Sequence, residues 1–180
     1  MNICVFGSAS PTIDAKYLEK GKELGEILAD RRHTLLFGAG TYGMMGAVAR
    51  GAYGKNGKII GIVPKFFVSL NVLFKNCDKT ILTETMHERK NLLVEQSDGF
   101  IITPGGIGTM DEFFEVFTLK QLGQIHAPIV IFNTYGFYDK LKEMLNEFVE
   151  KDVLSEDSCK KQLYFTDDST DAINFIEKAL

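Results

Sequence analysis

Gly99-Phe100-Ile101-Ile102-Thr103-Pro104-Gly105-Gly106-Ile107-Gly108-Thr109-Met110-Asp111-Glu112 passes from an apolar run of strand character, through a glycine-rich turn, into a helical pattern that opens at Thr109. Strand, glycine turn and helix in that order form the unit from which parallel α/β sheets are built. Glycine lets the backbone approach a ligand closely, and the first N–H groups of a helix lack intrahelical partners. An anion placed there meets several donors and the positive end of the helix dipole. Three glycines within four residues, followed at once by Thr109, read as a phosphate cradle with the carboxylate of Glu112 at its lip. The plainer alternative is a strand-to-helix turn whose glycines serve only backbone geometry.

Outward from this stretch, apolar runs of strand length alternate with longer amphipathic patterns. Strands are expected over Asn2 to Gly7, Thr34 to Phe37, Lys58 to Val63 (ended by Pro64), Lys79 to Thr83, Phe100 to Thr103, Pro128 to Phe132 and near Leu163 to Phe165. Helices are expected from about Asp14 to Arg31 with Leu18, Leu24 and Leu28 on one face, from Gly43 to Tyr53, from Thr85 to Gln96 and from Thr109 to Leu122. One more carries Phe137, Leu141, Leu145 and Phe148 on one face, and a last one closes the chain. This is the rhythm of βαβ units. It predicts a single Rossmann-like domain over 1–180: α/β, doubly wound, with a mainly parallel sheet, helices on both faces and ligands at the carboxyl ends of the strands.

The 180 residues are 45% hydrophobic and 24% charged, ordinary for a globular chain long enough to bury one good core. No run approaches the roughly 20 apolar residues of a membrane span, and Met1 to Gly7 lacks the basic start of a signal peptide, so a cytoplasmic protein with no membrane partner is expected. Cys4, Cys77 and Cys159 are odd in number and scattered, as are His33, His87 and His126, which argues against a disulfide framework and predicts no metal. The net charge is −4, yet from Arg31 to Cys77 there is no acidic residue against Arg31, Arg32, Arg50, Lys55, Lys58, Lys65 and Lys75. That stretch either suits an anionic ligand or is a solvated basic face. Aromatics do not interleave with these charges, so nucleic acid is not an expected partner.

A second loop, Gly38-Ala39-Gly40-Thr41-Tyr42-Gly43, is a literal G-x-G-x-x-G between a strand and a helix. A nicotinamide site adds an acidic residue about 20 positions on, for the ribose hydroxyls. Here that region reads Ile62-Val63-Pro64-Lys65, which favours a mononucleotide over NAD, with NADP left as a minor option through Lys65. No separate cofactor is expected.

Together with Gly7-Ser8, the Gly38 to Gly46 loop, Met86-His87-Glu88-Arg89-Lys90 and Pro104 to Glu112, the chain resembles the Lonely Guy (LOG) family of cytokinin riboside 5′-monophosphate phosphoribohydrolases, often mislabelled lysine decarboxylases. The arginine and lysine of the Met86 to Lys90 segment and P-G-G-x-G-T-x-x-E at Pro104 to Glu112 stand intact. Ala39 and Met44 fall where many members carry Gly and Leu, and Phe66 to Lys79 is less typical. The resemblance implies hydrolysis of the N-glycosidic bond of an adenosine 5′-monophosphate, often N6-substituted, to free base and ribose 5-phosphate. Arg89 and Glu112 would be the catalytic pair. Gly105, Gly106, Gly108 and Thr109 would hold the phosphate, with Pro104, Met86 and Lys90 beside the substrate. Gly7, Ser8, Gly38, Gly40 and Gly43 would line the nucleoside.

Structural alternatives stand beside these roles. Thr109-Met110-Asp111-Glu112 is also a capping box, Arg89 could lie on a solvated charged face, and Asp111 could serve only the helix dipole. A lysine-bound cofactor on Lys90 would suit the decarboxylase label, but no partner for a pyridine nitrogen can be identified. A protein that binds or senses a nucleotide without turnover, or a nucleosidase acting on unmodified AMP, would use the same cradle. Met110, Phe113, Phe114 and Phe117 form one stripe, expected to face the sheet, and Val116, Leu119 and Leu122 another, so a homodimer or dimer-based assembly is expected to cover the second face.

Overall fold

A computed structural model describes residues 1–179. The chain runs β1 (Asn2–Phe6), α1 (Ala15–Asp30), β2 (Thr34–Phe37), α2 (Gly43–Gly54), β3 (Ile59–Pro64), a 3₁₀ segment (Lys65–Leu70), β4 (Lys79–Thr83), α3 (Met86–Glu95), β5 (Gly99–Ile102) and α4 (Ile107–Gln121). It continues through β6 (Ile129–Phe132), a short 3₁₀ turn (Thr134–Gly136), α5 (Asp139–Glu150), α6 (Glu156–Gln162), β7 (Leu163–Thr166) and α7 (Ser169–Lys178). All strand pairs are parallel, in the order β4-β3-β2-β1-β5-β6-β7.

Alternation along the strands splits the core into two layers. Ile3, Val5, Leu35, Phe37, Ile101 and Val130 face Leu24 and Leu28 of α1, Val48 and Ala52 of α2, and Ile173 and Ile176 of α7. Cys4, Phe6, Leu36, Phe100, Ile102 and Ile131 face Leu93 of α3, Phe113, Val116 and Phe117 of α4, and Leu141 and Leu145 of α5. Burial on both faces is why the inner strands read as near-unbroken apolar runs, while the edge strand β4 is mostly exposed.

The doubly wound expectation holds. Strand order reverses around β1, which pairs with β2 on one side and β5 on the other. The loops leaving β1 and β5 therefore part to opposite faces and open a crevice at the carboxyl edge, and the Ser8 N–H bridges them to the Pro104 carbonyl at 3.0 Å.

Several local expectations need correction. α4 starts at Ile107 with Gly106 as its N-cap, not at Thr109, because the N-cap carries no side chain to announce it. Thr109 is then inside the first turn, and the Thr109 to Glu112 capping box does not form. The two stripes on α4 also redistribute: Val116 is in the core with Phe113 and Phe117, Met110 and Phe114 are only half-buried, and Leu122 is exposed. Phe137 precedes α5 and, like Phe148, is exposed, leaving Leu141 and Leu145 as its buried residues. α6 was not expected. Its signals were Ser155, whose hydroxyl caps the Ser158 N–H, and the acidic first turn of Glu156 and Asp157. Among the described residues, no helix is long and apolar enough to cross a membrane.

Candidate active site

A cleft of about 500 Å³ opens at the crevice. One end is walled by Gly7 and Ser8 after β1 and by Gly106, Gly108 and Thr109 at the start of α4. The other is apolar, with Met45, Val63, Phe67, Leu70, Val72, Leu73 and Met86.

Arg89 and Glu112 meet within this cleft. α3 starts at Met86 because the Thr85 hydroxyl accepts the Glu88 N–H at 3.1 Å, while the Glu88 carboxylate turns back to the Glu84 N–H at 2.8 Å. One residue further on, Arg89 points inward. Its Nε donates to the Ile62 carbonyl at 3.3 Å, and its Nη1 donates to Glu112 Oε1 at 2.6 Å. Both residues are buried, Arg89 being 6% and Glu112 8% exposed. Gly38 makes room for this: a Cβ there would stand 2.1 Å from Arg89 Nη2. Burial pushes the Glu112 carboxyl above the usual carboxylate range, against the opposing pull of Arg89.

The cradle end is built from backbone. The first N–H groups of α4 have no helical partner, and the space above Gly106 and Gly108 is open, with nothing within 4 Å of an added Cβ. Gly43 holds the facing loop in place. Its φ of +60° and the closeness of the Ser8 carbonyl, 2.3 Å from a would-be Cβ, exclude a side chain there, and the Met45 N–H donates to that carbonyl at 3.2 Å.

The structure thus brings together Gly7, Ser8, Gly38, Gly40, Met86, Arg89, Gly106, Gly108, Thr109 and Glu112 around one cleft. Four residues expected beside the substrate do not line it. Gly43 and Pro104 brace the loops through Ser8, Gly105 lies beneath the Thr109 side chain, and Lys90 turns outward to Asp111 and Glu115, both at 3.1 Å. The basic side chains of the stretch from Arg31 to Cys77 do not line the cleft either. Arg31 pairs with Glu177, Lys55 with Asp30 and Lys65 with Glu84, and Arg89 is the one cation among the described cleft residues.

Of the apolar wall, sequence reasoning identified only Met86. The strap after β3 is tied to the second glycine loop by bonds from the Thr41 N–H to the Val72 carbonyl and from the Phe74 N–H to the Ala39 carbonyl, both tertiary contacts without a periodic signal.

A family model described as possible lysine decarboxylase matches residues 45–176. A cytokinin riboside 5′-monophosphate phosphoribohydrolase of Mycobacterium tuberculosis is 37% identical over 171 residues, covering 95% of this chain and 90% of that protein. The chain belongs to the LOG family. A probable cytokinin riboside 5′-monophosphate phosphoribohydrolase of Oryza sativa subsp. japonica is 34% identical over 153 residues, covering 85% of this chain and 62% of the rice protein. Among solved structures, the molybdenum cofactor carrier protein of Chlamydomonas reinhardtii superposes with a TM-score of 0.73 at 21% identity, covering 99% of this chain and 96% of that one. At that identity the likeness shows the fold alone.

The decarboxylase description of the family model fits the LOG chain poorly. Burial works against the Lys90 charge, but hydrogen bonds to Asp111 and Glu115 hold its ammonium above the usual range. A nucleophilic lysine requires the opposite shift.

Proposed function

We propose that this chain hydrolyses the N-glycosidic bond of an adenosine 5′-monophosphate, preferentially one substituted at N6, releasing free base and ribose 5-phosphate. The observation that carries this reading is the buried Arg89–Glu112 pair in the same cleft as a backbone cradle for an anion. With the phosphate on the N–H groups at the start of α4 and the Thr109 hydroxyl, the ribose lies toward Glu112 and the base against the apolar wall. Breaking the bond builds positive charge on the ribose ring. The Glu112 carboxylate stabilises that charge and orients the water that attacks C1′; the base leaves with the bonding electrons, and the water's proton passes to the carboxylate and from there, through solvent, to the base, which restores the carboxylate. Arg89 keeps Glu112 ionised and in place. The apolar wall supports a base bearing an apolar group, since it offers plain adenine few polar partners.

The cradle's fixed donors serve an anion, so the monophosphate should be preferred over the nucleoside. Two or three charge-assisted hydrogen bonds correspond to at least about a hundredfold in kcat/KM. Incubating the purified protein with AMP, N6-prenylated AMP and adenosine, and measuring free base, tests both statements. Absence of base from either nucleotide would leave a non-catalytic nucleotide binder, and adenosine cleaved within about tenfold of AMP would remove the phosphate role of Gly106, Gly108 and Thr109.

We further propose a homodimer or dimer-based assembly acting in the cytoplasm. Exposed Leu122 and half-buried Leu119 on α4 support the assembly, and light scattering at micromolar concentration tests it.

A further inference from the structure

The β6–α5 connection carries backbone strain. Tyr135 sits at a φ of +54°, a region that side chains other than asparagine and aspartate rarely enter, and Gly136 follows at +69°. Beyond this turn, Asn133 Oδ1 accepts the Tyr138 N–H at 2.6 Å, while its amide nitrogen donates to Asp139 at 2.7 Å. Together they hold Tyr138, 3% exposed and outside the cleft lining, with its phenol aimed at the loop that leaves β5.

There the hydroxyl meets the peptide that leads into the turn. It donates to the Thr103 carbonyl at 2.8 Å. Pairing between β5 and β6 has already ended at Ile102 with Ile131, so no strand partner remains for the Thr103 carbonyl. Pro104, the next residue, has no N–H to contribute, and its carbonyl is taken by Ser8. The phenol's one donor meets the need of the Thr103 carbonyl. Burial also pushes the Tyr138 hydroxyl well above the usual range, which keeps it a neutral donor.

We propose that Tyr138 is a positioning residue for the phosphate cradle: its hydroxyl clamps the Thr103 carbonyl just before Pro104 and so sets where Gly106, Gly108 and Thr109 present their donors. The inference rests on the reading of that loop as the phosphate site. Tyr138 touches no substrate and acts through the loop.

The test is Tyr138→Phe, which keeps the ring and removes the clamp, with kcat/KM measured for AMP and for adenosine. The expected result is an AMP-over-adenosine ratio lowered about tenfold, carried by a higher KM for AMP with kcat changed less than about twofold. A merely structural role would lower the melting temperature and both substrates' rates alike, so an unmoved ratio overturns the proposal. Asn133→Ala, which loosens the holder and spares the hydroxyl, should shift the ratio the same way by about threefold, and it decides the matter if the tyrosine variant fails to fold. Calorimetric affinities of the same variants for AMP and adenosine give a readout without turnover. If the wild type released no base, the hydrolase reading would fail, while a retained or lost affinity ratio would still decide the role of Tyr138.

Discussion

Arg89 and Lys90 are neighbours on α3, and Glu112 and Asp111 are neighbours on α4, yet the two pairs they form across the helices differ in kind. Arg89–Glu112 lies inside the cleft with both partners buried. Lys90 reaches Asp111 and Glu115 on the outer surface, where the Asp111 side chain is 58% exposed. One step along a helix turns a side chain by about 100°, enough to take it from the crevice to the solvent side. The inner pair lacks water to screen it, so each charge depends on the other and the carboxyl's proton affinity is open to adjustment. The outer pair is screened and contributes little, whichever partner is removed. In a segment as charged as Met86 to Lys90, the depth at which a side chain ends decides whether it can do chemistry.

The contrast can be broken most directly at Glu112. Glu112→Gln keeps the shape and removes the carboxylate, and free-base release should fall about a thousandfold, with Arg89→Ala of similar size. Both variants should also lose about 3–5 kcal/mol of stability, because the surviving partner is left as a less compensated buried group. Near wild-type turnover by either variant, with unchanged circular dichroism, would remove the assigned pair.

Gly38→Ala is a subtler break. The new Cβ would collide with the Arg89 guanidinium and push it off Glu112 without changing either residue of the pair. A loss of about ten- to a hundredfold in kcat is expected. Wild-type activity would mean that the guanidinium has latitude the geometry denies it.

pH sharpens the comparison. In the proposed mechanism Glu112 acts as the carboxylate, so its raised pKa should place the acid limb of the kcat profile above the usual carboxylate range, with activity lost as pH falls through it. Arg89→Lys, a shorter and less well-fitted cation, should move that limb to still higher pH. The stability linkage has the opposite sign: the folded state binds this proton more tightly than the unfolded chain, so this contribution is full at low pH and lost as pH rises through the folded pKa. An acid limb at or below the ordinary carboxylate value would contradict the burial argument.

The smallest effect is expected at Lys90→Ala, which should change kcat/KM less than about threefold and stability by under about 1 kcal/mol. A loss comparable to that of Arg89→Ala would erase the distinction between the two faces.

The sheet was legible because parallel strands buried on both faces write themselves as apolar runs, and the crevice followed from the glycine loops after β1, β2 and β5. The motif carrying Arg89 and Glu112 was legible too, but their contact was not. They are 23 residues apart on different helices, and no local spacing encodes a bond made only when α3 and α4 pack. Lys90 was misplaced because its motif neighbours point elsewhere. The apolar wall was only partly visible, since the 3₁₀ segment Lys65–Leu70 has no period and buries none of its residues. α4 was entered two residues late because a glycine N-cap leaves no polar signature.

The reversal of strand order at β1 also governs how the chain acquires its site. β1 through β4 can pair along the chain as each strand emerges, but the remaining edge of β1 waits for β5, with Ile3 opposite Gly99 and Phe6 opposite Ile102. Contacts so distant in sequence form slowly, and until they do an apolar strand edge at the future centre of the molecule stands bare, open to pairing with another chain. The seam beside the crevice of the finished protein is, during synthesis, an edge open to aggregation.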